Sequence, residues 1–184
     1  MNDKLNALQV GNPLIRCTLK KVNIKNISKK EVLDCIEKMR SINDAMEGVG
    51  ISANQVGYDL RISLIHVKAT KFRPDSDSSP EKIMINPEIV RLKGKEEYMW
   101  EGCLSVAEAG LFCKVKRYTK VSVKYWNLLG EKVEEELSGF MAHIAQHEIA
   151  HLDGQIFLDL DVDKDTFMSA KEYIAMRRKA KSKK

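Results

Sequence analysis

The stretch His143 to Gly154, HIAQHEIAHLDG, constrains this chain more than any other. Three histidines recur at spacings of four with a glutamate beside the middle one, and that spacing returns side chains to one face on an α-helix. On a helix rising 1.5 Å per residue, His143 and His151 stand about 12 Å apart along the axis, whereas two nitrogens on one ion must lie within roughly 4 Å of each other. One helix therefore supplies only two adjacent members of the trio. His147 and His151 are the better pair, because Glu148 between them completes H-E-x-x-H, in which the glutamate can work on a metal-bound water. His143 then lies one turn before the metal. The bland reading is a core helix with a few satisfied histidines, and two ligands do not make a site.

A third ligand must come from elsewhere, and WEGCLS, residues 100 to 105, is the natural place to look. A cysteine beside a glycine is either a buried small hydrophobe or a soft thiolate ligand. Cys17, Cys35 and Cys113 lack such a setting. Another stretch, GVGISANQ at 48 to 55, has neither the Rossmann spacing nor the P-loop lysine, so its glycines suit close approach of backbone to a ligand.

At 184 residues, with 43% hydrophobic and 31% charged positions, the chain can bury one sizeable core and is expected to form one globular domain, 1–184. The net charge of +5 is concentrated near RRKAKSKK at the end, where it reads as a solvated helix terminus; no specific DNA binding is expected. Four scattered cysteines without a C-x-x-C pair point to a reducing compartment. Without a presequence pattern or a run of 18 apolar residues, the expectation is a soluble, cytoplasmic protein with no membrane partner.

The expected fold class is α+β: antiparallel β-sheets around a central metal-binding helix, flanked by an N-terminal amphipathic helix and a C-terminal helix. The first helix begins at SKKEVLDCIEKMRSINDAME, where Ser28 and Glu31 have capping-box spacing and Val32, Ile36, Met39 and Met46 keep the helical period. Strands are expected at 61–67, 82–92, 118–126 and 132–137, with the polar stretch 68–82 an exposed loop. The metal helix spans roughly 139 to 152 and ends near Gly154, and a third helix runs from about Asp165 with Phe167, Ala170 and Ile174.

The three functional stretches, in this order, resemble the peptide deformylase family. Its motifs G-x-G-L-A-A-x-Q, E-G-C-L-S and Q-H-E-x-x-H stand here as Gly48 to Gln55, Glu101 to Ser105 and Gln146 to His151. NPLIR near the start, INP at 85 to 87 and the closing helix fit as well, so the resemblance covers nearly the whole chain. It implies that Cys103, His147 and His151 bind the metal and leave a fourth position for water. Glu148 then moves the proton, while the Gln55 amide and the Leu104 backbone N–H hold the developing oxyanion. The implied reaction removes the N-formyl group from the initiator N-formylmethionine of nascent polypeptides, releasing formate. Glu101 is placed beside the substrate, and Gly48, Gly50 and Gly102 bring backbone against it. By the same matching Val49, Met99, Phe140, His143 and Ile144 fall at or near the methionine pocket. Ligand types alone suggest zinc. The family commonly uses Fe²⁺, with Zn²⁺, Ni²⁺ or Co²⁺ as substitutes, and the resemblance favours iron. A ribosome contact through the basic C-terminal helix is a further expectation.

The chain departs from the family pattern in places. Ile51 and Ser52 replace leucine and alanine, no proline follows EGCLS closely, Ala150 stands where an acid is frequent, and His143 puts an imidazole in a generally apolar pocket. Two other readings are a metallopeptidase, which expects a third His or Glu ligand downstream, and a non-catalytic or weakly active homologue that binds peptide amino termini. The cysteine discriminates against the first, and turnover against the second.

Overall fold

Apolar residues alternating with polar ones along the middle of the chain pair into one antiparallel sheet in the computed structural model, which describes residues 5–69 and 78–181. The strands are β1 (Gly50–Ser52), β2 (Ile62–Ile65), β3 (Lys82–Glu101), β4 (Leu111–Trp126), β5 (Lys132–Ser138) and β6 (Val162–Ser169). The first five are neighbours in chain order, and β6 adds to β4. Three helices complete the described chain: α1 (Lys30–Ala45), α2 (Gly139–Leu152) and α3 (Ala170–Lys181). The α+β architecture expected from the sequence is the one observed.

The amphipathic period of α1 buries Val32, Cys35, Ile36, Met39 and Ile42 against Ile51, Ile62, Leu64 and Ile85 of β1 to β3. Its expected capping box does not form. Lys29 is the N-cap and makes no side-chain cap, because a short turn at Ile24–Asn26 runs straight into the helix, with Lys29 N–H donating to Asn26 O. Ser28 lies within that junction.

Helix α2 is buried nearly all round, the property of a helix enclosed by protein rather than laid on its surface. Ala142, Ile144, Ala145 and Ile149 meet Met84, Val121, Val123 and Leu137 of the sheet, and Leu152 joins the α1 side. It ends in a Schellman motif: Gly154 N–H donates to His151 O and Gln155 N–H to Ala150 O, with Gly154 at φ +75°. A side chain at Gly154 would also strike the Arg16 carbonyl, so the end of the metal helix is fitted to the NPLIR turn.

Strands β3 and β4 run well past the expected 82–92 and 118–126. Three register shifts bend their ladder, one beside Gly94 at φ +73°, and the extension carries β3 to Glu101, next to Cys103. The expected helix from about Asp165 also begins later. Residues 162–169 pair with β4 (Leu111↔Ser169, Phe112↔Met168), and α3 starts at Ala170, leaving Phe167 exposed on the strand. The ladder outweighs a helix preference spread over mostly polar residues. The ends of the stretch 68–82 are without helix or strand until β3, while 70–77 lie outside the described residues. Among the described residues, no helix is long and apolar enough to cross a membrane.

Candidate metal centre

Helical spacing puts His147 and His151 on one face of α2, and their Nε2 atoms lie 3.2 Å apart. The chain leaving β3 turns at Gly102 to bring Cys103 Sγ within 3.1 Å of His151 Nε2. All three ligand atoms fall within 4.8 Å of one another. His143, one turn earlier, is not among them.

The donor chemistry of the centre suits a cation. Burial pushes the Cys103 thiol up to about 12. Burial, reinforced by neighbouring His147, pushes His151 well below the usual imidazole range. Two neutral imidazoles and a thiol that resists ionisation offer converging lone pairs with nothing in the protein between them. A divalent ion favoured by S and N donors fits this set, and its charge would drive off the thiol proton.

One face of the centre is built on a buried carboxylate. Glu101 Oε1 accepts from Arg117 Nε at 2.8 Å and Oε2 from Arg117 Nη2 at 3.3 Å, while His147 Nδ1 lies 2.7 Å from Oε2. His143 Nε2 sits 3.0 Å from Oε1, out of line for a hydrogen bond. Burial alone would raise the Glu101 carboxyl, but His147, His143 and Arg117 together hold it well below the usual range. An ionised Glu101 accepts a hydrogen bond from His147 Nδ1–H, which keeps the proton on Nδ1 and leaves the Nε2 lone pair for a metal. His151 lacks such a partner, its Nδ1 being buried without a hydrogen bond. Its backbone is pinned instead, the carbonyl accepting from Asn54 Nδ2 at 2.8 Å.

Two more groups converge on the same opening. Gln55 Oε1 accepts from Ser52 N–H at 2.9 Å, which fixes the amide so that Nε2 faces Ser105 Oγ at 3.0 Å and Cys103 Sγ at 3.6 Å. Glu148 is buried, and its carboxyl is pushed well above the usual range by burial and then by the charge of Glu101. The absent side chain of Gly50 makes room for it, since a Cβ there would lie 2.6 Å from Glu148 Oε1.

Comparison with known proteins matches this arrangement. The family model described as polypeptide deformylase matches residues 4–166. The chain belongs to the polypeptide deformylase family. It is 40% identical to a peptide deformylase of Aquifex aeolicus over 149 residues, 80% of this chain and 82% of that one. It is 35% identical to peptide deformylase 1 of Prochlorococcus marinus, over 87% of this chain and 82% of that one. Among solved structures it is similar to the Met-Ala-Ser-bound class I type b peptide deformylase of Acinetobacter baumannii, with a TM-score of 0.79 and 30% identity, covering 87% and 99% of the two chains. The peptide deformylase of Thermotoga maritima gives a TM-score of 0.72 at 33% identity, over 84% and 95%. This deformylase is a metal-dependent amidohydrolase whose site is Cys103, His147 and His151.

The deformylase cleft, about 370 Å³, gathers most of the expected residues. The turn into β1 contributes Gly48, Val49 and Gly50, and α2 contributes Phe140, His143, Ile144 and Glu148. Gln55, Glu101, Gly102, Cys103 and Leu104 complete the part nearest the ligands. Met99 is elsewhere: it borders a second depression with Trp100, Phe140 and Tyr173. Glu101 borders the cleft, but both its oxygens are engaged by Arg117 and the two imidazoles.

Sequence reasoning passed over Arg117, although it stands at an inward position of β4, in phase with buried Cys113 and Val115. A charge at an inward position is the signal that finds it. Gln146 was read only as part of a motif. Its amide donates to Tyr118 O at 2.9 Å and accepts from Tyr118 N–H at 3.1 Å, so it pairs with β4 as a strand would and holds α2 against the sheet.

Proposed function

We propose that this deformylase hydrolyses the formyl amide of N-formylmethionyl nascent peptides with Fe²⁺ at Cys103, His147 and His151, Zn²⁺, Ni²⁺ or Co²⁺ being able to replace it. When bound, such an ion acts as a Lewis acid on water and on a carbonyl oxygen. Glu148 takes a proton from the attacking water and later delivers it to the departing amine, as the water oxygen bonds to the formyl carbon and the C–N bond breaks. Burial and the charge of Glu101 raise this carboxyl above the usual range, which favours holding the proton between the two steps. The formyl oxygen, gaining charge, is received by Gln55 Nε2 and by the N–H of Leu104, which opens a short turn whose first amides have no partner within the turn.

The observation that carries this reading is the convergence of Glu148, the oriented Gln55 amide and Cys103 on one cleft with the two histidines. Gly48, Gly50 and Gly102 admit the peptide backbone, and Val49, Phe140, Ile144 and His143 receive the methionine side chain. His143 tunes which side chain is accepted and stays out of the ligand set. The chain works as a single catalytic domain in the cytoplasm, and the basic outer face of α3, with Arg178 and Lys179, approaches the ribosome.

An anaerobic preparation assayed together for bound metal and for formate release from formyl-Met-Ala-Ser tests the reading. The expected result is iron near one per chain with stoichiometric formate. Metal-loaded protein that binds the peptide without releasing formate would leave only a peptide-binding homologue.

A further inference from the structure

The family match ends at residue 166, yet the wall of the cleft does not. Ala170, the first residue of α3, borders the opening together with Gly110, Leu111 and Phe112 of β4 and its approach. Two contacts fix it there. Its N–H donates to Gly110 O at 2.6 Å, and the preceding strand β6 pairs Phe112 with Met168 and Leu111 with Ser169.

Phe112 is the middle of a stack that runs from α3 toward the metal ligands. On one side lies Gly102, beside Cys103, and a Cβ on Gly102 would collide with the Phe112 ring. On the other side Tyr173 of α3 stacks on the same ring, with centroids 4.3 Å apart and planes 7° from parallel. Trp100 tilts against Tyr173 at 5.6 Å. Tyr173 is 2% exposed, so the helix is anchored by a ring it cannot withdraw without opening a hole.

From this geometry we propose that the C-terminal segment is part of the substrate site: Tyr173 is a positioning residue that holds Phe112 against Gly102, and Phe112 with Ala170 forms the wall along which the residues after methionine lie. The proposal rests on the deformylase reading and assigns to α3 an inner face, distinct from its basic outer one. The segment beyond the family match thereby sets affinity for the peptide, while the ligands and Glu148 carry out the hydrolysis. With the methionine side chain given to Val49, Phe140, His143 and Ile144, the wall of Phe112 and Ala170 in the same cleft is assigned to the chain that follows methionine.

Tyr173→Ala and Tyr173→Phe in the metal-loaded full chain test this, with formyl-Met-Ala-Ser and formylmethionine amide as substrates. Losing the ring should raise KM for the tripeptide about tenfold with kcat and metal content unchanged, because the lost contact serves the bound substrate and the transition state alike. KM for the amide should stay near that of the unaltered chain, and Tyr173→Phe, which keeps the stack, should restore the tripeptide value. Should Tyr173→Ala fail to fold, Ala170→Phe places bulk in the same wall and should weaken Met-Ala-Ser binding by calorimetry. An unchanged KM in Tyr173→Ala, an equal rise for both substrates, or unaltered Met-Ala-Ser binding in Ala170→Phe overturns the proposal. Absence of turnover in the unaltered chain would instead refute the functional reading, with the calorimetric comparison still deciding the role of the wall.

Discussion

His147 and His151 are one helical turn apart and present the same Nε2 atom to the same centre, but they are held by different means. The ring of His147 is gripped at Nδ1 by Glu101, itself clamped by Arg117. The ring of His151 has no such grip, and it is the backbone beneath it that is fixed, by Asn54 at its carbonyl and by Arg61, which reaches Leu152 O at 3.2 Å and Asp153 Oδ1 at 2.6 Å. This centre has one ligand whose tautomer is set by a carboxylate and another whose position is set by the end of its helix. Metal affinity should therefore be sensitive to charge at His147 and to helix placement at His151.

The largest expected effect separates both histidines from the chemistry. Glu148→Gln should keep one metal per chain and both ligands in place while lowering kcat by about 10² to 10⁴. Metal analysis alongside formate release checks it, and loss of the ion would mean that Glu148 belongs with the ligands.

The next effect falls on His147. Glu101→Gln removes the charge that orients it but strands Arg117 as a buried cation, so the informative protein is Glu101→Gln with Arg117→Met, which removes both charges. Metal affinity, read by competition with a chelator, should fall about 10- to 100-fold. Wild-type affinity in the double variant would erase the distinction between the two histidines.

The smallest effect falls on His151. Asn54→Ala removes one of the two donors to its buried carbonyl, Gly154 N–H remaining, which costs about 0.5–1.5 kcal/mol of stability. Denaturant unfolding of the metal-free protein should show that loss while metal affinity changes less than in the Glu101 variant. Unchanged stability would mean that the Schellman bonds and Arg61 hold this end of the helix without Asn54.

The histidine pair was legible because helix geometry, with Glu148 between the two, makes the four-residue spacing decisive, whereas Cys103 came only as what the resemblance to the family implies, its own setting leaving a buried hydrophobe open. Helix α2 and the cores of the strands were legible for the same reason: their periods are unbroken. The clamp on His147 was not, since Arg117 and Glu101 meet only through the β3–β4 pairing, and a charge pair between strands leaves no period. Strand β6 was hidden because its residues are mostly polar and half exposed, so only the partner β4 makes them a strand. Met99, expected at or near the methionine pocket, borders the neighbouring depression, which shares Phe140 with the cleft. Ser28 has the chemistry of a cap, but the turn before it hands that place to Lys29.

The long β3–β4 hairpin also orders events in time. Its two strands are neighbours in the chain and can zip from their shared turn, so this part of the sheet forms with little loop-closure entropy. Cys103 comes with the hairpin, but His147 and His151 are brought to it only after β5 and α2 have been laid down in sequence. An ion at that centre joins the hairpin to α2 across a separation of 48 residues. Because it favours the folded state over the unfolded one, it adds to the stability of the metal-free chain by mass action, so the loaded protein should resist unfolding more as free metal rises.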